Sequence, residues 1–184
     1  GVVTGNQVGE HGNGGGIYVT NATLNLSGDA YVTNNILQKC NCPETDVNNT
    51  HGGGGITIGD NSKMEMSGGY VTGNDAWLSG GGIYAGFWNH RVGFTMRGGT
   101  IARNHVQIGE GGGLRIAGGD NGGTNGVIMA DLNNKIYITN NKTETPDDWG
   151  GGGIFIQENG TLNITNALIT ENSAGGFGGG IGVC

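Results

Sequence analysis

The sequence is poor in proline, cysteine and charge. It has 2 prolines and 43 glycines in 184 residues, which excludes collagen, because a collagen helix needs much proline and a strict three-residue period. Charged residues make up 12% of the chain, the net charge is −7, and there is no basic run, so nucleic-acid binding is not expected. No apolar run approaches the ~20 residues of a membrane-spanning helix, and no segment shows the 3.6-residue period of an amphipathic helix. We expect an all-β fold with no membrane insertion in this segment.

What the sequence does contain is a repeat. Runs of glycine followed by an aliphatic residue recur at intervals of 27 to 40 residues, at Ile17, Ile56, Ile83, Leu114, Ile154 and Ile181. A short alternating segment follows each run, as in Leu24-Asn25-Leu26, and Val127-Ile128-Met129 is the expected counterpart in the most irregular unit. A Val/Ile-x-x-Asn segment ends each unit. No unit can bury its apolar face alone, so the units must stack. The pattern predicts a right-handed, single-stranded parallel β-helix of about five to six coils, each with three short strands.

Residues 1–184 are expected to form one β-helix segment. Gly1 to Asn6 reads as the end of one repeat and Gly178 to Cys184 as the start of another, which predicts a fragment of a longer array with both ends in mid-coil. The exposed end coils are expected to stack on further coils, either of the same chain or of a neighbouring molecule, end to end.

The recurring asparagines are expected to be structural. They are predicted to point inward and to form a ladder, because a turn asparagine tolerates unusual backbone angles and its amide can bond to the coils above and below. The six positions are Asn6, Asn35, Asn74, Asn104, Asn141 and Asn172. The glycine runs resemble phosphate-binding loops only superficially, since neither a Lys-Ser/Thr pair nor a helix follows them.

The alternation of Gly-Gly-Gly-Ile with Ile-x-x-Asn resembles the repeat of the polymorphic membrane proteins and related autotransporter-like β-helix adhesins. The motifs of that family are Gly-Gly-Ala-Ile/Leu/Val and Phe-x-x-Asn; here a third glycine replaces the alanine, and Val or Ile replaces the Phe. The resemblance implies an extracellular or cell-surface protein with an adhesive or structural role, with glycans or host surface proteins as possible partners.

Two outward columns are candidates for a contact surface. Stripes of outward aromatic residues suit sugar stacking or contact with a partner, and the alternative is ordinary cross-strand packing. The candidate residues are Tyr18, Tyr84, Arg115 and Phe155 on the first strand, and Tyr31, Tyr70 and Tyr137 on the third. A third column of mostly threonine, from Thr4 to Thr170, leaves an ice-binding β-helix as a further alternative.

The alternative of a different class is a carbohydrate-active β-helix enzyme, either a polysaccharide lyase or a glycosidase. Such a site needs carboxylates and a basic residue in one groove, and no spacing forces Asp120 or Asp131 onto one of the arginines at 91, 97, 103 and 115. We therefore predict no catalytic residues, no bound metal and no cofactor. Asp147 and Asp148 are a candidate calcium pair, against the alternative that both are solvated.

Asn-x-Ser/Thr sequons are candidate glycosylation sites if the source is a eukaryote. Asn48 is the preferred candidate because it lies in an insertion, and the others are Asn21, Asn25, Asn159 and Asn163. Of the three cysteines, Cys40 and Cys42 precede the second coil and Cys184 lies four coils later. Four coils span about 19 Å, well beyond the ~7 Å Cα separation of a disulfide, so Cys184 is not expected to pair with either.

Overall fold

The computed structural model describes residues 1–9, 12–39, 52–86, 92–118, 125–130, 134–146 and 150–184. These residues form 21 strands arranged in three parallel sheets, and no helix is found among them. The chain visits the three sheets in turn and returns to the first, once per coil. The predicted parallel β-helix is therefore confirmed.

Sheet 1 contains the strands that follow the glycine runs: β3 (Ile17–Val19), β7 (Ile56–Ile58), β10 (Ile83–Ala85), β13 (Leu114–Ile116), β17 (Ile154–Ile156) and β21 (Ile181–Val183). Sheet 2 contains β1 (Val2–Thr4), β4 (Thr23–Leu26), β5 (Tyr31–Thr33), β8 (Lys63–Thr72), β11 (Gly93–Ala102), β14 (Asn125–Met129), β15 (Ile136–Thr139), β18 (Thr161–Thr165) and β19 (Ala167–Thr170). Sheet 3 contains β2 (Gln7–Val8), β6 (Ile36–Leu37), β9 (Asp75–Ala76), β12 (His105–Val106), β16 (Lys142–Thr143) and β20 (Ser173–Ala174).

The division into sheets differs from the sequence pattern in one respect. The strands predicted as second and third in each coil belong to one sheet, and in β8 and β11 they form a single ten-residue strand with a register shift near Gly98. The third sheet consists of two-residue strands that directly follow the ladder asparagines. Two residues are too few to show an alternating pattern, so these strands could not be predicted from hydrophobic periodicity.

The core is built from columns of like residues, one per coil. The six aliphatic residues after the glycine runs are paired in one continuous register. In the middle coils they are fully buried together with the inward residues of sheet 2, such as Met66, Met96 and Ile101. Every second residue of a strand faces inward, so stacking turns each inward position into a continuous apolar column.

The irregular fourth coil is one residue out of the predicted register. Gly126 pairs with Phe94 and Ile128 pairs with Met96, so Ile128 is buried and Met129 is 39% exposed. A Cβ on Gly126 would lie 2.8 Å from a methyl group of Leu162 in the next coil. Leu162 therefore occupies the space that a side chain at position 126 would need.

The six asparagines form an uninterrupted internal column. In each step the side-chain Oδ1 accepts two hydrogen bonds, from the backbone N–H and from the Nδ2 of the asparagine one coil earlier, at 2.9–3.0 Å. From Asn35 onward, Nδ2 also donates to a backbone carbonyl one coil earlier, as Asn74 does to Val32 at 3.0 Å. The positive φ belongs to the preceding residue, for example Asn34 or Arg103, and not to the ladder asparagine itself.

The glycine runs and the ladder fit together as one unit. In five of the six runs, a Cβ on the third glycine would lie 2.8–3.0 Å from the amide group of a ladder asparagine; a Cβ on Gly82, for example, would meet Asn104. The first glycine has a positive φ in most coils, and at Gly111 an added Cβ would lie 2.9 Å from the Cβ of Arg115. The run therefore leaves room for the ladder inside the coil and packs on the outward residue of the following strand outside it.

Candidate functional site

The first candidate stripe is in register but is not a surface. Tyr18, Thr57, Tyr84, Arg115 and Phe155 form one column on sheet 1, yet Tyr84, Arg115 and Phe155 are only 2–4% exposed, and Tyr18 alone is largely exposed. The expectation of a contact stripe at these three buried positions is therefore wrong.

The column is covered by the segments that precede the strands of sheet 1. Ser79 pairs with Glu110, and Gly150 pairs with Phe177, in parallel bridges. The adjoining glycines continue this ladder, as Gly80 N–H donates to the Glu110 carbonyl at 3.0 Å. The glycine run thus turns back over the strand that follows it, and the outward side chains of that strand are enclosed between the two layers.

A buried polar cluster results from this enclosure. Arg115 Nε lies 2.6 Å from Glu110 Oε1, and Arg115 Nη2 donates to Gln157 Oε1 at 2.6 Å. Ser79 Oγ donates to the second oxygen of Glu110 at 3.2 Å, and the guanidinium lies 4.7 Å from the centre of the Tyr84 ring. The cluster joins three consecutive coils through one ion pair and its hydrogen bonds.

Burial governs the ionisation of this cluster. Desolvation raises the pKa of the Tyr84 hydroxyl, so this side chain is neutral beside the guanidinium. Desolvation also acts to lower the pKa of Arg115, but the charge that Tyr84 carries once it ionises, the charge of Glu110 and the hydrogen bond to Glu110 raise it overall. The arginine therefore stays charged, and Glu110 is its counter-ion. Side chains this enclosed cannot meet a polymeric substrate.

The second candidate stripe reaches the surface: Tyr31 is exposed, and Tyr70 and Tyr137 are half-buried. Tyr31, Tyr70 and Tyr137 belong to one outward column of sheet 2, which Thr100 and Leu168 share. The rings of Tyr31 and Tyr70 stack with centres 4.6 Å apart and planes at 11°. Because these two rings stack on each other along the column, they present their edges and hydroxyl groups to solvent more than their faces.

Two clefts are also present on sheet 2, and the second of them includes Tyr137 and Leu168 of this column. The first, of about 220 Å³, is lined by polar side chains that include Asn25, Glu65 and Arg97. The second, of about 330 Å³, is lined by Asn134, Lys135, Tyr137 and neighbours. The segments that line them are hydrogen-bonded to each other, since Gly99, two residues after Arg97, donates its N–H to the Lys135 carbonyl at 3.1 Å. The amides, hydroxyls and both charge signs found here are suited to hydrogen-bonding ligands.

The threonine column is in register from Thr4 to Thr170 but is interrupted as a surface. Thr72 is 8% exposed and Ala102 is 3% exposed at its centre, so the described residues do not present a continuous flat face of threonine hydroxyls. This geometry gives the ice-binding alternative no support.

A cluster on sheet 3 was not identified from the sequence. His105 Nδ1 lies 2.8 Å from Asp75 Oδ2, and His105 Nε2 lies 3.3 Å from Glu144 Oε1. Lys142 Nζ lies 2.7 Å from the same glutamate oxygen, and Gln107 Nε2 donates to Asp75 Oδ1 at 2.9 Å. The available signal was alignment on the ladder asparagines, because Asp75, His105 and Lys142 each directly follow one of them.

Four of the candidate glycosylation asparagines are exposed. Asn21 and Asn159 lie in turns with positive φ, and Asn25 and Asn163 lie on strands of sheet 2. Cys184 is a free, exposed cysteine. Several other candidates lie outside the described residues: Cys40, Cys42, Asn48, Arg91, Asp120, Asp131, Asp147 and Asp148. Within the described part of the chain, no helix is long and apolar enough to cross a membrane.

The fold and the asparagine ladder define the chain as a parallel β-helix repeat protein. The chain is 49% identical, over 41 residues, to the probable autotransporter YfaL of Escherichia coli (strain K12). The matched part is 22% of this chain but only 3% of that protein, so the chain spans a small fraction of the relative's length. No family model matches the sequence, and no solved structure matches the fold. The likeness is therefore to an autotransporter, over a short stretch.

Proposed function

We propose that the chain is a non-catalytic structural or adhesive segment of a cell-surface or extracellular protein, comparable to the passenger region of an autotransporter. The partial match to an autotransporter supports this placement. The observation that carries the adhesive role is the sheet 2 surface, which has both the Tyr31–Tyr70 stack and a polar cleft lined by residues of three consecutive coils. Tyrosine edges, together with amides and hydroxyls on the same sheet, favour recognition of glycans or of polar protein surfaces.

The buried cluster supports the non-catalytic part of the proposal. Arg115 and Glu110 are the arginine–carboxylate combination that a polysaccharide-cleaving site would need in a groove, yet both side chains are enclosed. Each group is already bonded to the other and to neighbours within the fold, so neither is available to move a proton on a substrate.

Binding should depend on the sheet 2 surface. We expect the chain to bind to an array of immobilised oligosaccharides and matrix proteins, and the variant Tyr31→Ser/Tyr70→Ser to lose about tenfold or more in affinity, equivalent to about 1.4 kcal/mol. Tyr18→Ser, which removes an exposed tyrosine from sheet 1, is the matched control and should bind normally. Equal loss in both variants, or release of reducing ends from any polysaccharide on the array, would contradict the proposal.

The sheet edges at the two ends of the helix are the second contact surface that we propose, and further coils are their partners. Val2 is exposed at one end, and Phe177 and Val183 are exposed at the other, beside strands that have a partner on one side only. The 184 residues produced alone should associate with rising concentration in sedimentation velocity experiments. Phe177→Lys/Val183→Lys should reduce this association, because charge at a sheet edge opposes pairing. A strictly monomeric chain at micromolar concentration would refute the idea.

A further inference from the structure

The polar cluster on sheet 3 joins three consecutive coils through one histidine. His105 on β12 contacts Asp75 on β9, one coil earlier, and Glu144, which follows β16 one coil later. Lys142 is paired with His105 in the sheet register, but its ammonium group is held by Glu144 at 2.7 Å. A protonated His105 thus has a carboxylate near each ring nitrogen: Nδ1 is hydrogen-bonded to Asp75, whereas Nε2 has an ion contact with Glu144 but no hydrogen bond. Lys142 is the one positive neighbour among the contacts described.

We propose that Asp75, His105 and Glu144 form a pH-dependent clamp that holds these coils together when the imidazole is protonated and loosens when it is not. A charged imidazole donates from both nitrogens, whereas a neutral one donates from only one and leaves a carboxylate facing a lone pair. The ordinary backbone ladder continues through these strands, since His105 N–H donates to Asn74 and Lys142 N–H donates to Asn104, both at 2.9 Å. The clamp therefore adjusts the junction without being needed to form it.

The sign of the pH dependence follows from the surroundings of the imidazole. The hydrogen bond with Asp75 is the largest influence and raises the pKa of His105; desolvation opposes it, and the charges of Asp75 and Glu144 add to it. A pKa raised in the folded state means that the contribution to stability is complete below the unfolded value, about 6.5. That contribution is lost as the pH rises through the higher folded value.

Titration of the His105 imidazole by NMR tests the clamp directly. We expect its pKa to lie above about 6.5 in the unmodified chain, to fall most in Asp75→Asn, and to fall less in Glu144→Gln. The order matters, because it follows from the shorter contact with Asp75. Glu144 is exposed, so its variant should fold normally even if Asp75→Asn is destabilised.

Urea unfolding as a function of pH provides the second readout. The midpoint should decrease as the pH rises above about 6.5, and His105→Asn should remove the part of this decrease that is due to the clamp. A variant that lowered the midpoint equally at every pH would show a purely structural histidine and would overturn the proposal. So would a His105 pKa at or below the ordinary value, or one that did not fall in Asp75→Asn.

Discussion

Replacing Glu110 with leucine should destabilise the fold by about 3–5 kcal/mol, because it leaves the guanidinium of Arg115 buried without its counter-ion. Arg115 and Glu110 side chains are 4% and 2% exposed, and their contact is 2.6 Å long. Water cannot replace the lost carboxylate without opening the segment that covers sheet 1. The free energy of unfolding, from urea titration followed by circular dichroism, measures the loss.

A double variant distinguishes two causes of the lost stability: the unpaired buried charge and the altered packing of the site. Glu110→Leu/Arg115→Met should recover most of the loss, because apolar residues of similar volume can replace a buried ion pair at little cost. Glu158→Gln removes an exposed carboxylate and should change stability little. If the double variant were as unstable as Glu110→Leu alone, the loss would come from packing of the covering segment and not from the buried charge.

The sequence was sufficient to predict the columns because each repeat contains two separate motifs that give the same alignment. The glycine run before Ile83 and the asparagine at 104 recur at matching places in each coil, and aligning either one aligns the other. The structure gives the reason: the third glycine leaves the space that the ladder amide fills. A motif whose two halves contact each other across the coil keeps its register through insertions of any length.

The burial of the first stripe could not be predicted in the same way. Alternation along β10 assigns Tyr84 to the outward face, and that assignment is correct within the sheet. Whether an outward residue meets solvent depends on the course of the segment before the strand, here Ser79 and Gly80, which turns back over it. The glycine run recurs in every repeat, but its recurrence does not show that a left-handed glycine turns the chain back over the next strand.

The His105 cluster was missed for a different reason. Asp75 and Glu144 lie 30 and 39 positions from His105 in the sequence, and each of the three belongs to a strand of only two residues or adjoins one. Only the stacking of the coils brings them together. Within such a fold, charges of opposite sign at the same place in neighbouring repeats are the signal to look for.

Asn74→Ala should be among the most damaging single changes in this fold, and its effect should depend on its place in the ladder. Asn74 Oδ1 accepts from the backbone N–H and from Nδ2 of Asn35, both at 3.0 Å, and its own Nδ2 donates to the Val32 carbonyl at 3.0 Å. Alanine removes these partners from the Asn35 N–H and the Val32 carbonyl and leaves Asn35 Nδ2 with the Val3 carbonyl alone. Each buried group that loses its partner costs about 1–3 kcal/mol. We therefore expect a loss of about 3 kcal/mol or more, measured as a lower midpoint in urea unfolding.

Asn6→Ala is the matched control, because it removes the same side chain from the end of the same column. Asn6 is exposed, and its side chain donates to Asn35 Oδ1 without accepting a bond from an earlier asparagine in the ladder. Its removal leaves Asn35 Oδ1 with the backbone N–H of residue 6 as a donor, so the loss should be well below that of Asn74→Ala. Equal losses of stability at the two positions would contradict a role for the ladder as a buried hydrogen-bond network. They would indicate instead that asparagine is merely favoured in these turns, an effect that does not depend on how deeply the residue is buried.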